Sequence, residues 1–447
     1  MNIAFIPIDN RPVCYNLAKQ IVRINKDIKF FIPERSLLGS LDKIANIKGL
    51  LNWLKNLPKI DYIVLSLDTI AYGGLIPSRR SKASFEEIKN NVEYLKEILQ
   101  SKNCKIFAFS SIMRISNNNI NQEEKEYWNL WGKKIFEYSY NFHKNKNTMS
   151  DIPNEILNDY LNTRKRNFEI NKLFLNWEKE GFFDTLVFSK DDCAEYGINV
   201  IEAQELKKLG AYIKTGADEI PLTLLARTCK NPKLKIAPIF LSEQNKNLIS
   251  NYEDISIEKS VKNQLELADC EITTTENADI LLYINNFENQ QGEIVMNIPT
   301  LPYSGKWEIP SKPYMIADVR FANGADNEFV KKLFEKGFDK NFYGYSAWNT
   351  SANSLGSLIC AGKIYFQSQL INKDLKQEFI KLQITRFLDD WAYQANVRQT
   401  LNKPDEKKCK ELMKPFEEKI FEIFKTRYNI NYKFPWNRLF EVEIEFN

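Results

Sequence analysis

The sequence predicts an α/β fold in which mostly parallel strands are joined by helical crossovers. Ten apolar, β-branched-rich runs have the length of buried strands. They lie near residues 3–8, 28–32, 62–67, 105–109, 184–189, 211–214, 235–240, 279–284, 313–317 and 342–346. Helical patterns separate most of these runs, and strand–helix alternation is typical of parallel sheets with right-handed crossovers.

Two architectures are compatible with ten such strands. An eight-stranded, TIM-like barrel would leave two strands over, because such a barrel closes with eight. We therefore predict two Rossmann-like open sheets facing a cleft, with the barrel as the alternative.

The length of 447 residues exceeds the roughly 150 residues at which one core usually suffices. Asn231-Pro232 follows a helical pattern and precedes a new strand, which indicates a domain border there. We predict an α/β domain at 1–230, a second α/β domain at 231–370 and a helical C-terminal segment at 371–447. Residues 120–180 are long, aromatic and charged, and predict a helical cap or lid inserted between two strands.

Composition excludes several classes of partner. Hydrophobic residues make up 43% and charged residues 27%, as in ordinary soluble proteins. The net charge of +4 comes from 62 basic and 58 acidic side chains that are interspersed, so we expect no nucleic acid partner. The N-terminus lacks the basic region of a signal peptide, and no run approaches the roughly 20 apolar residues of a membrane span. We therefore expect a cytoplasmic protein without a membrane partner.

Cysteine and histidine usage restricts the chemistry. Seven scattered cysteines without a CxxC spacing argue against a zinc ribbon and a disulfide framework. The single histidine, His143, excludes multi-histidine metal sites, and nucleophilic triads would have to depend on it. Asp, Glu, Arg, Tyr and Lys remain, with or without a hard metal bound through oxygen.

Polar residues follow the first and third strand runs. Asp9 and Arg11 form an Asp-x-Arg at the end of the first run, which suits a structural ion pair or a substrate clamp. Asp68 ends the third run, and Tyr72 is followed by Gly73-Gly74, which would let the backbone approach a ligand closely. The spacing of these glycines does not match a phosphate-binding loop.

A pair of neighbouring acids, Asp191-Asp192, follows another strand run. Two close carboxylates raise the pKa of one of them, which provides an acid beside an ionised partner. Glycoside cleavage needs such a combination, whereas the alternative interpretation is a helix N-cap. Arg79 and Arg114 also follow strand ends and suit an anionic or polyhydroxyl substrate, or ion pairs with these acids. Glu219 follows Asp218 at the start of a helix. One of these two acids can cap the helix while the other faces the site.

In the second half of the chain, polar residues also follow the ends of strands. Asp318 ends a strand, and the segment from Asn323 to Asp326 opens a helix. Residues 345–356 combine an indole, amides and hydroxyls, so we predict that Trp348 is an accessible platform for a ring-shaped ligand and is not part of the core. The alternative is a loop at a helix N-terminus that uses Asn and Ser as caps.

Several of these segments together resemble the bacterial domain-of-unknown-function family 4127. They are residues 7–12, 65–68 with 72–74 and 78–79, 191–192 with 196–197, 216–219, 323–326 and 348–350. The resemblance runs from residue 1 to about residue 370 in the family's order. It implies that these positions are characteristic of the family, and it implies no activity. Cys193 stands where the family often has a small amide, so its side chain is not expected to be essential.

The first functional hypothesis is a carbohydrate-active hydrolase that uses paired carboxylates without a cofactor or a metal. Its substrate would be a small molecule or an oligosaccharide, with N-acetylated sugars suggested by analogy with some glycosidases. One of Asp191 and Asp192 would be the general acid, with Asp68 or Glu219 as the partner. The predicted substrate-binding residues are Asp9, Arg11, Tyr72, Gly73, Gly74, Arg79, Arg114, Asp318, Asn323, Asp326, Trp348, Asn349, Thr350 and Asn353.

Two other hypotheses stay open. One is a Mg- or Mn-dependent hydrolase or transferase, because clusters of carboxylates suit hard cations. Its ligands would be Asp9, Asp68, Asp191 and Asp318. The other is a non-catalytic sugar-binding protein. In either enzyme, the carboxyl ends of parallel strands would bring the acids to one pocket. Those acids are Asp9, Asp68, Asp191, Glu219 and Asp318.

Overall fold

A computed structural model describes residues 1–146, 148, 151–191, 194–230, 232–371 and 376–447. The chain forms two compact units. The first unit contains Met1–Asn10 and Ile28–Pro221, and the second contains Arg11–Asp27 and Leu222–Asn447. The border therefore lies earlier than the predicted one at 230–231, and residues from 371 onward belong to the second unit.

Strands and helices are numbered along the chain. The strands are β1 Asn2–Ile6, β2 Lys29–Phe31, β3 Tyr62–Ser66, β4 Lys105–Ile112, β5 Thr185–Lys190, β6 Ile213–Thr215, β7 Lys235–Phe240, β8 Glu271–Ile272, β9 Ile280–Asn285, β10 Gly292–Glu293, β11 Tyr314–Asp318, β12 Phe321–Ala322, β13 Phe342–Ser346, β14 Ile430–Lys433 and β15 Glu443–Phe446. The helices are α1 Asn16–Arg23, α2 Ile47–Lys55, α3 Leu67–Ala71, α4 Leu75–Arg80, α5 Phe85–Gln100, α6 Trp128–His143, α7 Asn154–Lys179, α8 Ile198–Lys208, α9 Ile220–Arg227, α10 Ile257–Leu267, α11 Asn327–Lys336, α12 Ser351–Ile371, α13 Lys376–Arg386 and α14 Glu406–Phe424. A π-helix spans Phe387–Val397, and short 3₁₀ turns span Arg35–Leu37, Glu243–Asn245, Arg398–Thr400 and Pro435–Asn437.

The first unit is built on a six-stranded sheet in the order β2-β1-β3-β4-β5-β6. All neighbouring strands in it are parallel. The inner strands are buried on both faces, which explains why their sequences are continuous apolar runs and do not alternate.

The second unit is built on a five-stranded parallel sheet in the order β13-β11-β9-β7-β8. If its strands are counted along the chain, both sheets follow the doubly wound order 2-1-3-4-5, to which the first adds a sixth strand. In this order the direction of winding reverses between β1 and β3 in the first sheet and between β7 and β9 in the second. Two open parallel sheets are thus confirmed, and the barrel alternative is wrong, since no closed barrel is formed by the described strands.

The helical insertion differs from the predicted cap or lid. Helix α7 packs on β4, β5 and α5, so it is the crossover between β4 and β5 and covers the sheet. Trp128 of α6 and Tyr160 of α7 lie together in one apolar cluster. The aromatic residues Trp128 and Tyr160 of this stretch are therefore part of a core.

The C-terminal part of the second unit is not wholly helical, in contrast to the prediction for 371–447. It contains α13, the π-helix and α14, but it ends in an antiparallel hairpin of β14 and β15. A further short parallel pair joins β10 and β12. Among the described helices, none is both long and apolar enough to cross a membrane.

Candidate functional site

The carboxyl ends of β1 and β3 are tied together beside Asp68. This residue lies in the first turn of α3, directly after β3, and the Ser66 hydroxyl accepts a hydrogen bond from the Thr69 amide at 3.3 Å. The Thr69 hydroxyl donates to the carbonyl oxygens of Pro7 and Ile8 at 2.8 and 3.2 Å. Asp68 is therefore held at the point where the strand order reverses, which is where ligands bind in open α/β sheets.

The two oxygens of the Asp68 carboxyl group differ. Its Oδ2 accepts a hydrogen bond from the Ser111 amide at 2.8 Å, whereas Oδ1 has no hydrogen-bond partner among the described residues. The side chain is 1% exposed, and this burial raises the pKa of Asp68 to about 7, against the opposing hydrogen bonds from Ser111. Because Oδ2 already accepts an N–H, the proton of the neutral acid resides on Oδ1.

Two further buried polar atoms nearby have no hydrogen-bond partner. Within the part of the chain that the structure describes, these are the Tyr72 hydroxyl and Arg79 Nη1, in residues that are 3% and 2% exposed. Arg79 Nη1 lies 3.9 Å from the Asp191 carboxylate, which is an ion-pair distance. The Tyr72 amide donates to the Asp68 carbonyl at 2.9 Å, so Tyr72 lies one helical turn after Asp68 and on the same face. Burial, followed by the charge of Asp68, raises the pKa of Tyr72, which therefore remains a neutral donor. Each unsatisfied buried group costs about 1–3 kcal/mol, so this concentration makes the surroundings of Asp68 a candidate site.

Gly73 and Gly74 turn the chain between α3 and α4. Their φ angles are +89° and +133°, in the region that favours glycine. A Cβ atom on Gly73 would lie 2.2 Å from a side-chain carbon of Ile44, and the Gly73 carbonyl accepts from the Ala45 amide at 3.0 Å. The close backbone approach expected from the sequence is therefore made to residues 44–45 of the same unit.

Two arginines and three acids form what we call the arginine–acid cluster: Arg79, Arg114, Glu123, Glu124 and Asp191. Arg114 lies 2.8 Å from Glu123 and 3.2 Å from Glu124. Arg79 lies 3.4 Å from each of the same two glutamates. The Asp191 carboxylate is 3.5 Å from Arg114 and 3.9 Å from Arg79, so it lies within ion-pair distance of both guanidinium groups.

The two glutamates were not predicted from the sequence. They lie in the loop between β4 and α6, where Arg80 donates to the carbonyl oxygens of Asn121, Gln122 and Glu124. Acids shortly before a helix are common because they interact favourably with its N-terminus, so Glu123 and Glu124 give no distinct sequence signal.

Helix α7 supports the cluster from behind with a buried polar face. Arg164 pairs with Glu202 through two contacts of 3.0 and 2.5 Å, and it donates to the Arg114 carbonyl at 3.3 Å. Arg166 donates to the Ser78 carbonyl at 2.9 Å. One helix thus fixes the segments that carry both arginines of the cluster.

The predicted acid pair is only partly described. Asp191 follows β5, and α8 begins at Ile198 with Gly197 as its N-cap residue, so Asp191 does not cap this helix. Asp192, the other acid of the predicted pair, lies outside the described residues, as does Cys193.

Asp9, Asp218 and Glu219 occupy the same edge of the first sheet, after β1 and β6. Carboxylate oxygens of Asp9 and Asp218 lie within 4.8 Å of each other. Glu219 folds back over Gly216, and its carboxylate accepts from the Ala217 amide at 3.1 Å. Glu219 therefore closes its own turn, which supports a structural task for this predicted catalytic residue.

Asp318, at the carboxyl end of β11 in the second unit, is a fully partnered acid. Its Oδ1 accepts from Asn285 at 2.8 Å, and its Oδ2 accepts from the Asp326 amide at 2.9 Å and the Tyr345 hydroxyl at 3.0 Å. Burial, then the charge of Asp326, raises the pKa of Asp318 to about 7. Asp326 itself is the N-cap of α11 and accepts from the Glu328 amide. Both predicted substrate-binding acids thus hold neighbouring segments of this unit in place.

The predicted polar residues near α12 are also engaged in local bonds. The Asn323 amide donates to the Asn349 carbonyl at 2.8 Å, and its side chain donates to Glu293. The Thr350 hydroxyl accepts from both the amide and the side chain of Asn353 at 3.3 and 3.1 Å. These contacts favour the helix-start interpretation of this segment over direct ligand binding.

Arg11 belongs to the second unit and forms an ion pair there. Its Nη1 lies 3.7 Å from Glu441, and its guanidinium lies 5.3 Å from the centre of the Trp436 ring. The ion-pair alternative therefore describes Arg11 better than the substrate clamp, with Glu441 as a partner that the sequence did not indicate.

Trp348 is part of the core of the second unit. Its side chain is 3% exposed, and the edge of its ring contacts Phe440 at a centroid distance of 6.2 Å. The prediction of an accessible platform outside the core is therefore wrong.

We expect Trp348→Ala to lower the melting temperature, since truncation of a buried Trp costs about 3–5 kcal/mol, or roughly 10 °C for a unit of this size. Thermal unfolding followed by circular dichroism measures this shift. An unchanged melting temperature together with weaker sugar binding would restore the original interpretation.

Comparisons with known proteins add a family but no activity. The family model described as "Protein of unknown function (DUF4127)" matches residues 3–445, nearly the whole chain and more than the resemblance in the sequence covers. No curated protein and no solved structure matches the chain.

Proposed function

We propose that this chain, which belongs to the DUF4127 family, is a carbohydrate-active hydrolase with its site beside Asp68 in the first unit. One observation carries the proposal. A buried carboxyl group with an unpartnered Oδ1, a pKa of about 7 and a neighbouring arginine lies in the same unit as carboxylates held by guanidinium groups. Hydrolysis of a glycoside needs both a protonated and an ionised carboxyl group. The cytoplasmic location expected from the sequence is part of this proposal.

The proposed roles differ from those expected from the sequence. Asp68 is the general acid, because its burial keeps the proton at neutral pH. Asp191 is the partner carboxylate, because Arg79 and Arg114 hold it by ion pairs. The predicted role of Asp192 in acid catalysis stays a prediction.

The proposed reaction proceeds by proton transfer from Asp68. Oδ1 donates its proton to the glycosidic oxygen as the bond between that oxygen and the anomeric carbon breaks. The ionised Asp68 is then stabilised by the Ser111 amide, while the Asp191 carboxylate stabilises the positive charge that develops at the anomeric carbon. Water adds to that carbon, and its released proton returns to Asp68.

The proposal is tested by the pH dependence of hydrolysis on a panel of aryl glycosides. We expect kcat to fall as the pH rises through about 7, because the acid form of Asp68 is lost. Asp191→Asn should lower turnover by about 10²–10⁴-fold while the circular dichroism spectrum is retained. A profile that is flat between pH 6 and 8, or normal turnover by the variant, would contradict the proposal. Binding of sugars without any turnover would favour the non-catalytic alternative.

The second candidate is a Mg- or Mn-dependent hydrolase or transferase. The proximity of the Asp9 and Asp218 carboxylates favours it, because hard divalent cations take oxygen ligands. Elemental analysis of the dialysed protein separates the candidates, since stoichiometric Mg or Mn would favour this one.

A further inference from the structure

A cavity of about 310 Å³ lies in the second unit, at the amino end of β13. Phe342, the first residue of that strand, lines it. Asp318 stands at the opposite, carboxyl end of the parallel neighbour β11, so the cavity is separate from the polar residues that follow the strands. Its volume lies at the lower end of the roughly 300–1,000 Å³ that is usual for small-molecule sites.

Five aromatic rings form a continuous wall of this cavity. Phe338 stacks on Phe342 and Phe424, at centroid distances of 4.1 and 5.5 Å. Tyr365 stacks on Phe379 at 3.8 Å, and Phe379 contacts Phe342 edge-on at 6.1 Å. Phe338 and Phe424 are half-buried, so part of the wall faces solvent. An apolar group placed against these rings would remove that surface from water, which favours binding.

Three lysines carry most of the charge that lines the cavity: Lys340, Lys376 and Lys425. All three are exposed, and their ammonium groups make no hydrogen bond or ion pair with the described residues. Asp339 also lines the cavity, and its Oδ1 accepts a hydrogen bond from the Asn341 amide at 2.9 Å. The charges of the lining residues therefore sum to two positive. Because an ammonium group can only donate hydrogen bonds, an anionic acceptor complements this rim.

Two helix termini adjoin the cavity, and their partial charges oppose each other. Helix α13 begins at Lys376 with its positive end, whereas α14 ends at Phe424 with its negative end. The lysine side chains therefore determine which sign of charge is favoured. A long lysine stem packs along apolar surface while its ammonium group stays in water, which places the positive charges at the mouth above the rings.

We propose that this cavity binds a small amphipathic carboxylate, with its apolar body against the aromatic wall and its carboxylate among the three lysines. The volume of about 310 Å³ equals that of about ten water molecules at roughly 30 Å³ each, which corresponds to a ligand of about ten non-hydrogen atoms. The site does not depend on the proposed hydrolase, because the lining residues belong to the second unit and Asp68 belongs to the first.

The probes are octanoate, 1-octanol, octylammonium and acetate, titrated into the whole chain by calorimetry. We expect one octanoate per chain, bound roughly tenfold more tightly than uncharged 1-octanol, because each exposed charge pair contributes up to about fivefold. Octylammonium should bind more weakly than 1-octanol, and acetate should not bind detectably. From butanoate to octanoate, each added methylene should tighten binding about fourfold. Tighter binding of 3-phenylpropionate than of octanoate would support the site and assign it an aryl body. Equal affinity for octanoate and 1-octanol, or no saturable binding of octanoate, would overturn the proposal.

The double variant Lys340→Gln with Lys376→Gln removes two charges and keeps the aromatic wall. Its affinity for octanoate should fall roughly tenfold, and its affinity for 1-octanol should stay unchanged. Lys331→Gln with Lys407→Gln is the matched control, because both lysines are exposed in the second unit and neither lines the cavity. The control removes the same net charge and should change neither affinity. An equal loss of octanoate binding in both double variants would mean attraction to the overall charge of the chain, and would refute the site.

A second copy of the chain is the other occupant that the measurements separate. If the aromatic wall were an interface between copies, sedimentation would show a concentration-dependent dimer that octanoate converts to monomer. That result would overturn the ligand site. A monomer that binds one octanoate, with or without any hydrolysis of glycosides, would support it.

Discussion

Asp68→Asn is expected to lower glycoside turnover by about 10²–10⁴-fold and to raise the melting temperature at pH 8. Asparagine resembles the protonated acid in shape. Its carbonyl oxygen can accept from the Ser111 amide as Oδ2 does, and its NH₂ group takes the place of the protonated Oδ1. The amide cannot release a proton to a leaving group, so the fold is kept and the acid is lost.

The rise in stability follows from proton linkage. The pKa of Asp68 is about 7 in the folded protein against 3.8 ordinarily, so the folded state binds this proton more tightly than the unfolded state. The stability that depends on this proton is fully present below about pH 4 and is lost as the pH rises through 7. Asparagine does not ionise, so the difference in melting temperature between variant and native chain should grow from pH 5 to pH 8. Scanning fluorimetry across that range measures it.

Asp318→Asn is the matched control for Asp68→Asn. Asp318 is equally buried and also has a pKa raised to about 7, but its two oxygens accept three hydrogen bonds. An amide supplies only one acceptor atom, so this variant should unfold at a lower temperature and keep the turnover of its folded fraction. If both variants lost turnover and stability to the same degree, Asp68 would be a structural acid and the proposed mechanism would lose its proton donor.

The sheets could be predicted from the sequence because burial on both faces imposes continuous apolar runs. All ten predicted runs are strands of the two sheets. The strands that were missed, such as β8 and β10, have only two residues and carry no such pattern. The pattern also predicts parallel strands, and hence that the ends of β3, β4 and β5 meet at one edge.

Hydrogen-bond partners could not be predicted, because they come from distant parts of the chain. Asp68 and Asp318 end strands in similar sequence contexts, yet the first leaves one oxygen unpartnered among the described residues and the second has every oxygen engaged. Trp348 has small and polar neighbours in sequence, but its ring contacts Phe440, close to the C-terminus. Polar residues at strand ends can therefore be identified from the sequence as candidates. Their hydrogen-bond partners in the folded chain determine which of them can still bind a ligand.

Disruption of the ion pair between Arg164 and Glu202 is the second change from which we expect a large loss of stability. The Arg164 and Glu202 side chains are 2% and 12% exposed, and Arg164 also donates to the Arg114 carbonyl. Removal of one member of a buried pair typically costs about 3–5 kcal/mol, because an uncompensated charge stays behind. The arrangement lies directly behind the arginine–acid cluster, so its loss should also disturb the position of Arg114.

Glu202→Ala should therefore lower the melting temperature by roughly 10 °C, since 1 kcal/mol corresponds to about 2–4 °C in a unit of this size. Glu180→Ala is the control, because it breaks the exposed pair with Lys96 and should shift the melting temperature by about 1 °C or less. The double variant Arg164→Met with Glu202→Leu should recover most of the loss, as apolar replacements of buried pairs often do. It would still lack the bond to the Arg114 carbonyl, so its turnover should remain below that of the native chain. A double variant as unstable as Glu202→Ala would mean that the pair is needed for its hydrogen bonds and not only for mutual neutralisation.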